Sequence, residues 1–176
     1  MNLLESVAAT LRAQGTRFAL IGAGAMAVHG VSRSTRDLDV LVTDVACLTV
    51  AYWDRAKLTD VDVALHRGDA DDPLAGAVRL RPREGGGPVD VVIGRGGWLA
   101  GVLQRSAECD VDGVRLPVAG RADLILLKLY AGGSQDAWDI EQLLAGAGTD
   151  AVVVDVEREL PRLPEHAHRL WRRIRG

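Results

Sequence analysis

The sequence predicts an α/β protein in which a small mixed β-sheet is flanked by helices and followed by a helical C-terminal portion. Residues 2–14 carry apolar side chains at the spacing of one helical face. Several short apolar or alternating segments, bounded by Gly, Pro and Asp, are typical of strands. From about residue 120 onward the pattern is helical throughout. These three observations together favour a sheet with helices on its faces, followed by helices alone.

Composition limits the organisation further. At 176 residues, with 48% hydrophobic and 26% charged residues, the chain is long enough for a sizeable core. We expect a core over residues 1–119 and a helical portion over residues 120–176, packed together as one domain. The net charge of −3 argues against a protein whose main role is to wrap nucleic acid.

Location and cysteine use are also indicated by composition. No apolar run approaches the roughly 18 residues of a membrane span, and the N-terminal segment "MNLLESVAATLRAQG" is amphipathic, unlike a signal peptide. We therefore expect a cytoplasmic protein with no membrane partner. Cys47 and Cys109 form no metal-binding or disulfide pattern, and both are predicted to be small core residues.

The first half of the chain alternates helices and strands. After the first helix, "RFALI" (17–21) is a short strand that ends at the turn Gly22–Gly24. A helix of small residues, "AMAVHG", and a second strand, "DLDVLV" (37–42), follow. Residues 44–56 are then predicted to form one helix.

Hairpins and helices complete the predicted fold. Strands are expected at 61–68, 77–82 and 89–94, separated by the turns "GDADDP" and "REGGGP". The segment "CDVDGVRLPVA" is predicted to be a hairpin with a tight turn at Asp112 and Gly113. Helices should follow over 121–133, 134–146 and 150–163, with a basic helix at the end.

Two aspartates separated by one residue are the most informative feature. On a strand, Asp37 and Asp39 point to the same face about 6 to 7 Å apart, where their charges repel unless a cation lies between them. Asp90 is a third isolated carboxylate, in the apolar strand "PVDVVIG". Such hard oxygen ligands suit Mg²⁺ or Mn²⁺, and three of them could hold two metal ions for phosphoryl chemistry. Asp37 by itself could instead be bonded to local backbone.

The glycine turn supplies a complementary feature. A glycine at a strand end lets backbone amides approach a phosphate closely, next to the N-terminus of a helix. The alternatives are a simple strand-to-helix turn and a dinucleotide-binding element. The spacing "GAGAMA" disfavours the last, because it lacks the third glycine and is followed by the Asp-x-Asp strand.

This combination resembles the active-site signature of the DNA polymerase β-like nucleotidyltransferase superfamily. It is most similar to a bacterial minimal group that includes abortive-infection (AbiE-type) toxins. The matching positions are His29, Gly30, Arg33, Thr35, Asp37 and Asp39, and later Lys128, Asp136 and Asp139. Ala23 departs from the pattern, because a second glycine or a serine is usual there. The resemblance implies the nucleotidyltransferase fold.

The resemblance also implies transfer of a nucleoside monophosphate from an NTP to a hydroxyl group, with Mg²⁺ or Mn²⁺ as cofactor. Asp37, Asp39 and Asp90 would be the catalytic residues and metal ligands, with Asp136 and Asp139 as additional candidates. The predicted nucleotide-binding residues are Gly22, Ala23, Gly24, Arg33, Thr35, Arg36 and Lys128. Arg33 and Arg36 could equally be surface arginines, Lys128 could be a snorkelling lysine, and His29 is interpreted as structural.

The sequence is compatible with more than one class of acceptor and partner. The toxin resemblance implies transfer to tRNA, other RNA or a protein hydroxyl, and a cognate antitoxin as a partner. Other superfamily members modify small molecules such as antibiotics. A third alternative is a nucleotide-binding module without turnover, which Ala23 alone favours. The arginines of "HAHRLWRRIRG" either complement a helix C-terminus or contact phosphates.

Overall fold

Seven strands form one sheet in the computed structural model, which describes residues 2–32, 37–54, 58–70 and 72–176. The strands are β1 (Phe18–Ile21), β2 (Leu38–Val42), β3 (Val61–Arg67), β4 (Leu74–Pro82), β5 (Val89–Gly94), β6 (Ala107–Val111) and β7 (Val114–Val118). Their order across the sheet is β3-β4-β5-β2-β1-β7-β6. Strands β1 and β2 therefore lie near the centre, with a hairpin on each side.

The sheet is mixed, as predicted. Strand β1 pairs antiparallel with β2 and parallel with β7, and β2 pairs parallel with β5. Antiparallel hairpins join β3 to β4, β4 to β5, and β6 to β7. Asp112 and Gly113 both have positive φ, 52° and 81°, at the tight turn between β6 and β7. The predicted turn is confirmed, since Gly and Asp tolerate this backbone region best.

Helices surround the sheet. They are α1 (Leu3–Ala13), α2 (Gly22–Val28), α3 (Val50–Asp54), α4 (Gly97–Arg105), α5 (Arg121–Ala131), α6 (Asp136–Leu144), α7 (Thr149–Glu159) and α8 (Glu165–Arg175). Helix α4 is not among the sequence predictions, because glycines interrupt its segment. Its buried residues, Trp98, Leu99, Val102 and Leu103, nevertheless form one helical stripe.

One predicted helix is wrong in form. Residues 44–56 were expected to form a single helix, but the structure has a 3-10 turn over Val45–Leu48 and the short helix α3 over Val50–Asp54. Thr49 lies between them in extended backbone, with φ −124° and ψ 142°. The side chain of Asp44 caps the 3-10 turn by accepting a hydrogen bond from the Ala46 amide. This local capping competes with a continuous helix.

The buried residues form one cluster that joins the sheet to the C-terminal helices. Leu20 on β1 and Leu124, Ile125 and Leu129 on α5 are almost completely buried in it. Cys47 is buried as predicted, but Cys109 is only partly buried, because it lies on the edge strand β6. Among the described residues, the helices are too short or too polar to span a bilayer.

Candidate active site

Two carboxylates lie side by side at the centre of the sheet. Asp39 on β2 and Asp90 on β5 are direct partners in the parallel register of the two strands. Paired residues on neighbouring strands project to the same face of a sheet. The structure thus brings together two of the three aspartates that the sequence singled out.

Asp37 joins this pair through an arginine. The guanidinium of Arg79, on β4, lies with Nη2 3.0 Å from Asp37 Oδ2 and with Nη1 3.3 Å from Asp90 Oδ2. Asp37 also lies close enough to Asp39 to raise the pKa of the Asp39 carboxyl. All three predicted carboxylates therefore belong to one site, in which a guanidinium bridges the outer two.

The electrostatics of the site disfavour three negative charges. Burial raises the pKa of Asp39 to about 6, with further contributions from the neighbouring charges of Asp90 and Asp37. Burial also raises the pKa of Asp90, although Arg79 opposes this shift. A cation placed among these oxygens would relieve the repulsion.

Gly22 lies directly against Asp39. It has a φ of +63°, and a Cβ built on it would overlap Asp39 Oδ2. At Gly24, by contrast, a Cβ would come within 2.8 Å of the Leu38 side chain, so the absence of a side chain there serves packing. Ala23 lies between them in the first turn of α2. The first glycine of the turn is thus the one that adjoins the carboxylates.

Lys128 on α5 faces the same region. Its Nζ lies 3.0 Å from Asp136 Oδ1 and 2.5 Å from Asp139 Oδ2, both on α6. Burial lowers the pKa of Lys128, but hydrogen bonds to Asp139 and Asp136 outweigh burial and leave it raised. Lys128 also lines a cavity of about 120 Å³ together with Gly22. The later lysine and aspartates of the signature are therefore one ion-pair cluster beside the glycine turn.

Of the remaining predicted residues, the structure describes His29 but not the other three. Arg33, Thr35 and Arg36 lie outside the described residues. His29 has its Nε2 2.9 Å from the carbonyl oxygen of Ala119, which ties the end of α2 to the segment after β7. This contact agrees with the structural role predicted for His29.

Sequence reasoning missed Arg79. The available signal was its position in "AVRLRP", where it alternates with buried Val78 and Leu80 and must therefore lie on the opposite face. The register of β4 and β5, which places Arg79 directly beside Asp90, is not visible in the sequence. Arg81 and His66 also lie near enough to act electrostatically on Asp90.

The donor chemistry of the site suits a hard divalent cation. Asp39 and Asp90 are register partners on neighbouring strands, and the absence of a side chain at Gly22 leaves space beside the Asp39 carboxylate. Within residues 2–32, 37–54, 58–70 and 72–176, no group of three or more His, Cys, Asp or Glu side chains is already arranged as a metal cage. Arg79 lies between Asp37 and Asp90 where such a cage would close.

Comparison with known proteins identifies the fold. No known family profile matches the chain, and no curated protein matches it significantly. Among solved structures, ANT(2'')-Ia in complex with adenylyl-2''-tobramycin is similar, with 13% identity, coverage of 91% of this chain and 96% of that chain, and a TM-score of 0.59. The solution structure of the antibiotic-resistance factor ANT(2'')-Ia gives 14% identity, coverage of 91% and 90%, and a TM-score of 0.57.

A further solved structure has a similar fold. An antigenic nucleotidyltransferase-like protein from Paracoccidioides brasiliensis shares 13% identity, covers 94% of this chain and 90% of its own, and has a TM-score of 0.51. The chain has the nucleotidyltransferase fold. The mixed α/β architecture that the sequence pattern predicts, and the nucleotidyltransferase fold that the resemblance implies, are thus confirmed.

Proposed function

We propose that the protein is a metal-dependent nucleotidyltransferase that moves a nucleoside monophosphate from an NTP to an acceptor hydroxyl. The observation that carries this proposal is the pairing of Asp39 with Asp90 on parallel strands, with Asp37 beside them and Gly22 in contact with Asp39. Carboxylate oxygens that suit a cation, beside a turn whose first glycine has no side chain, support this proposal. The nucleotidyltransferase fold supports the same reaction class.

The carboxylates have separate roles in this proposal. Asp37 and Asp39, together with Asp90, would hold Mg²⁺ or Mn²⁺, which when bound would neutralise the triphosphate and stabilise the leaving pyrophosphate. Asp90 accepts the proton of the acceptor hydroxyl. As that proton leaves, the hydroxyl oxygen bonds to the α-phosphorus, and the bond from that phosphorus to the pyrophosphate oxygen breaks. The raised pKa of Asp90 suits a general base.

In this proposal the nucleotide binds at the turn Gly22–Gly24 and beside Lys128 on α5. The amides of Gly22, Ala23 and Gly24 would face the phosphates, and Lys128 would add a positive charge beside the cavity that it shares with Gly22. Arg33, Thr35 and Arg36 stay predicted nucleotide contacts on the sequence pattern alone. In this proposal Asp136 and Asp139 orient Lys128.

The surroundings of Asp90 favour an acceptor that carries phosphate, such as tRNA or another RNA. Arg79, Arg81 and His66 all lie close enough to Asp90 to lower its pKa. An acceptor hydroxyl that reaches Asp90 would therefore pass close to the guanidinium groups of Arg79 and Arg81, which bind phosphate well. The exposed arginines of α8 are a separate group of positive charges that would attract phosphate: Arg169, Arg172, Arg173 and Arg175.

A small-molecule acceptor is the second candidate. The similar structure of ANT(2'')-Ia holds adenylyl-2''-tobramycin, so this fold accommodates an antibiotic acceptor in that protein. An AbiE-type toxin role with an antitoxin partner stays a prediction of the sequence resemblance.

The two acceptor classes can be separated in one experiment. The purified protein is incubated with each α-³²P-labelled NTP and Mg²⁺, with total cellular RNA and tobramycin present together. We expect label in RNA and none in the antibiotic. Label in tobramycin alone would overturn the RNA acceptor while leaving nucleotidyl transfer intact.

A further inference from the structure

One guanidinium bridges two carboxylates of the site. Arg79 is the register partner of Asp90 in the antiparallel pairing of β4 and β5. Its Nη1 lies 3.3 Å from Asp90 Oδ2, and its Nη2 donates a hydrogen bond of 3.0 Å to Asp37 Oδ2. Each terminal nitrogen thus serves a different carboxylate.

The residues that flank and face Arg79 position its guanidinium. Val78 and Leu80, on either side of Arg79 in β4, are completely buried and anchor the strand. The next strand places Ala64 opposite Arg79, so no large side chain competes for the space. Nε of Arg79 is buried and has no hydrogen-bond acceptor among the described residues. Because an unsatisfied buried donor costs free energy, the two carboxylate contacts must account for this orientation.

We propose that Arg79 is a positioning residue that serves as the resident counter-ion of the carboxylate site and competes with the divalent cation for Asp37 and Asp90. Without another cation, it holds the two carboxylates together against their mutual repulsion. When a divalent cation binds there, Arg79 gives up at least one of these contacts. The inference rests on the proposed function, which supplies the cation.

The shape of the arginine side chain is part of the proposal. A planar guanidinium presents separate donors in fixed directions and can bridge two acceptors. A lysine at position 79 would keep the charge but concentrate it on one nitrogen. Arg79→Lys should therefore retain part of the competition, whereas Arg79→Gln should remove nearly all of it.

Binding of Mn²⁺, followed by the EPR signal of the free ion at pH 8, tests this competition. The wild type is compared with Arg79→Gln, Arg79→Lys and the control Arg81→Gln. Arg81 lies on the same face of β4 and also acts on Asp90 through charge, without the bridging contact. We expect Arg79→Gln to bind Mn²⁺ about three- to tenfold more tightly than the wild type. Arg79→Lys should fall between them, and Arg81→Gln should change binding by less than about twofold.

A second readout follows the site without metal. In EDTA, Arg79→Gln should melt at a lower temperature than the wild type, and saturating Mn²⁺ should recover most of the difference. Unchanged or weaker Mn²⁺ binding by Arg79→Gln, with a native circular dichroism spectrum, would overturn the proposal. If Arg79→Gln does not fold, the Mn²⁺ affinity of Arg79→Lys is the deciding measurement. Mn²⁺ binding by Arg79→Lys that is no tighter than that of the wild type would contradict the competition between Arg79 and the cation.

Mn²⁺ binding by Asp39→Asn distinguishes a failure of the role of Arg79 from a failure of the proposed function. Asp39→Asn should abolish the Mn²⁺ site of the wild type. If wild-type protein binds no Mn²⁺, or if Asp39→Asn binds it equally well, the metal-dependent function itself fails. If the site exists but Arg79→Gln leaves its affinity unchanged, only the role of Arg79 fails.

Discussion

The backbone of Gly22 lies so close to the carboxylate of Asp39 that a Cβ at Gly22 would clash with Asp39 Oδ2. This contact joins the end of β1 to the neighbouring strand β2, where Ile21 is the register partner of Asp39. The glycine turn and the Asp-x-Asp segment are therefore one structural unit. A substitution at Gly22 must displace the Asp39 carboxylate.

Gly22→Ala should destabilise the protein by about 2 kcal/mol or more. Its φ of +63° costs an L-residue roughly 1 kcal/mol, and the new methyl group must displace the Asp39 carboxylate. Gly30→Ala is the matched control, because Gly30 has a φ of +83° but nothing within 4 Å of a Cβ. Urea unfolding of both variants measures the difference. Equal losses in the two would show that the contact with Asp39 is unimportant.

Asp39→Asn should stabilise the fold at high pH while abolishing activity. Since the folded pKa of Asp39 is raised from 3.8 to about 6, folding favours the protonated carboxyl. The stability contribution of Asp39 is therefore present below about pH 4 and is lost as the pH rises through 6. The variant should exceed the wild type in free energy of unfolding at pH 8, and this advantage should vanish near pH 4.

The control for that pH profile is Asp62→Asn on β3. Asp62 is well exposed and pairs with Arg83 at the surface. Its substitution should produce little change at either pH. An advantage of Asp39→Asn that is the same at pH 4 and pH 8 would contradict the assigned electrostatics.

Lys128→Met should destabilise the protein by about 3 kcal/mol at neutral pH, because it leaves Asp139 buried without its cation. The side chain of Asp139 is only 3% exposed. Adding Asp139→Asn to Lys128→Met should restore much of the loss. Arg83→Met, which breaks an exposed pair, should cost less than about 1 kcal/mol by the same urea titration. A loss no larger than that of Arg83→Met would contradict a buried ion-pair role for Lys128.

Reversing charge on α8 tests the RNA acceptor. The double variant Arg169→Glu/Arg173→Glu should weaken RNA modification, and the defect should shrink as salt screens the wild-type attraction. The melting temperature should change little, because both side chains are exposed. Labelling of RNA at several salt concentrations measures the effect. Unaltered labelling at low salt would show that α8 is a solvated face.

Local sequence patterns predicted most of the helices, strands and turns. The order and register of the strands in the sheet depend on long-range pairing and could not be predicted from them. The closeness of Asp37 and Asp39 in the chain, and the tight turn at Asp112 and Gly113, follow from short-range chemistry, although β2 begins at Leu38 and Asp37 lies just before it. Arg79 could not be found in this way, because its meeting with Asp90 depends on which strands pair and in which register. Helix α4 was missed because its glycines lower local helix propensity, while buried Trp98 and Val102 stabilise it through packing.

Transfer of label from α-³²P-NTP to RNA in the presence of Mg²⁺ tests the central claim most directly. The assay compares the wild type with Asp39→Asn and with Asp90→Asn, and Asp62→Asn serves as the surface control on the same sheet. We expect labelling by the wild type and by Asp62→Asn, and none by Asp39→Asn or Asp90→Asn. Undiminished labelling by Asp39→Asn or Asp90→Asn would show that the paired carboxylates do not carry the reaction.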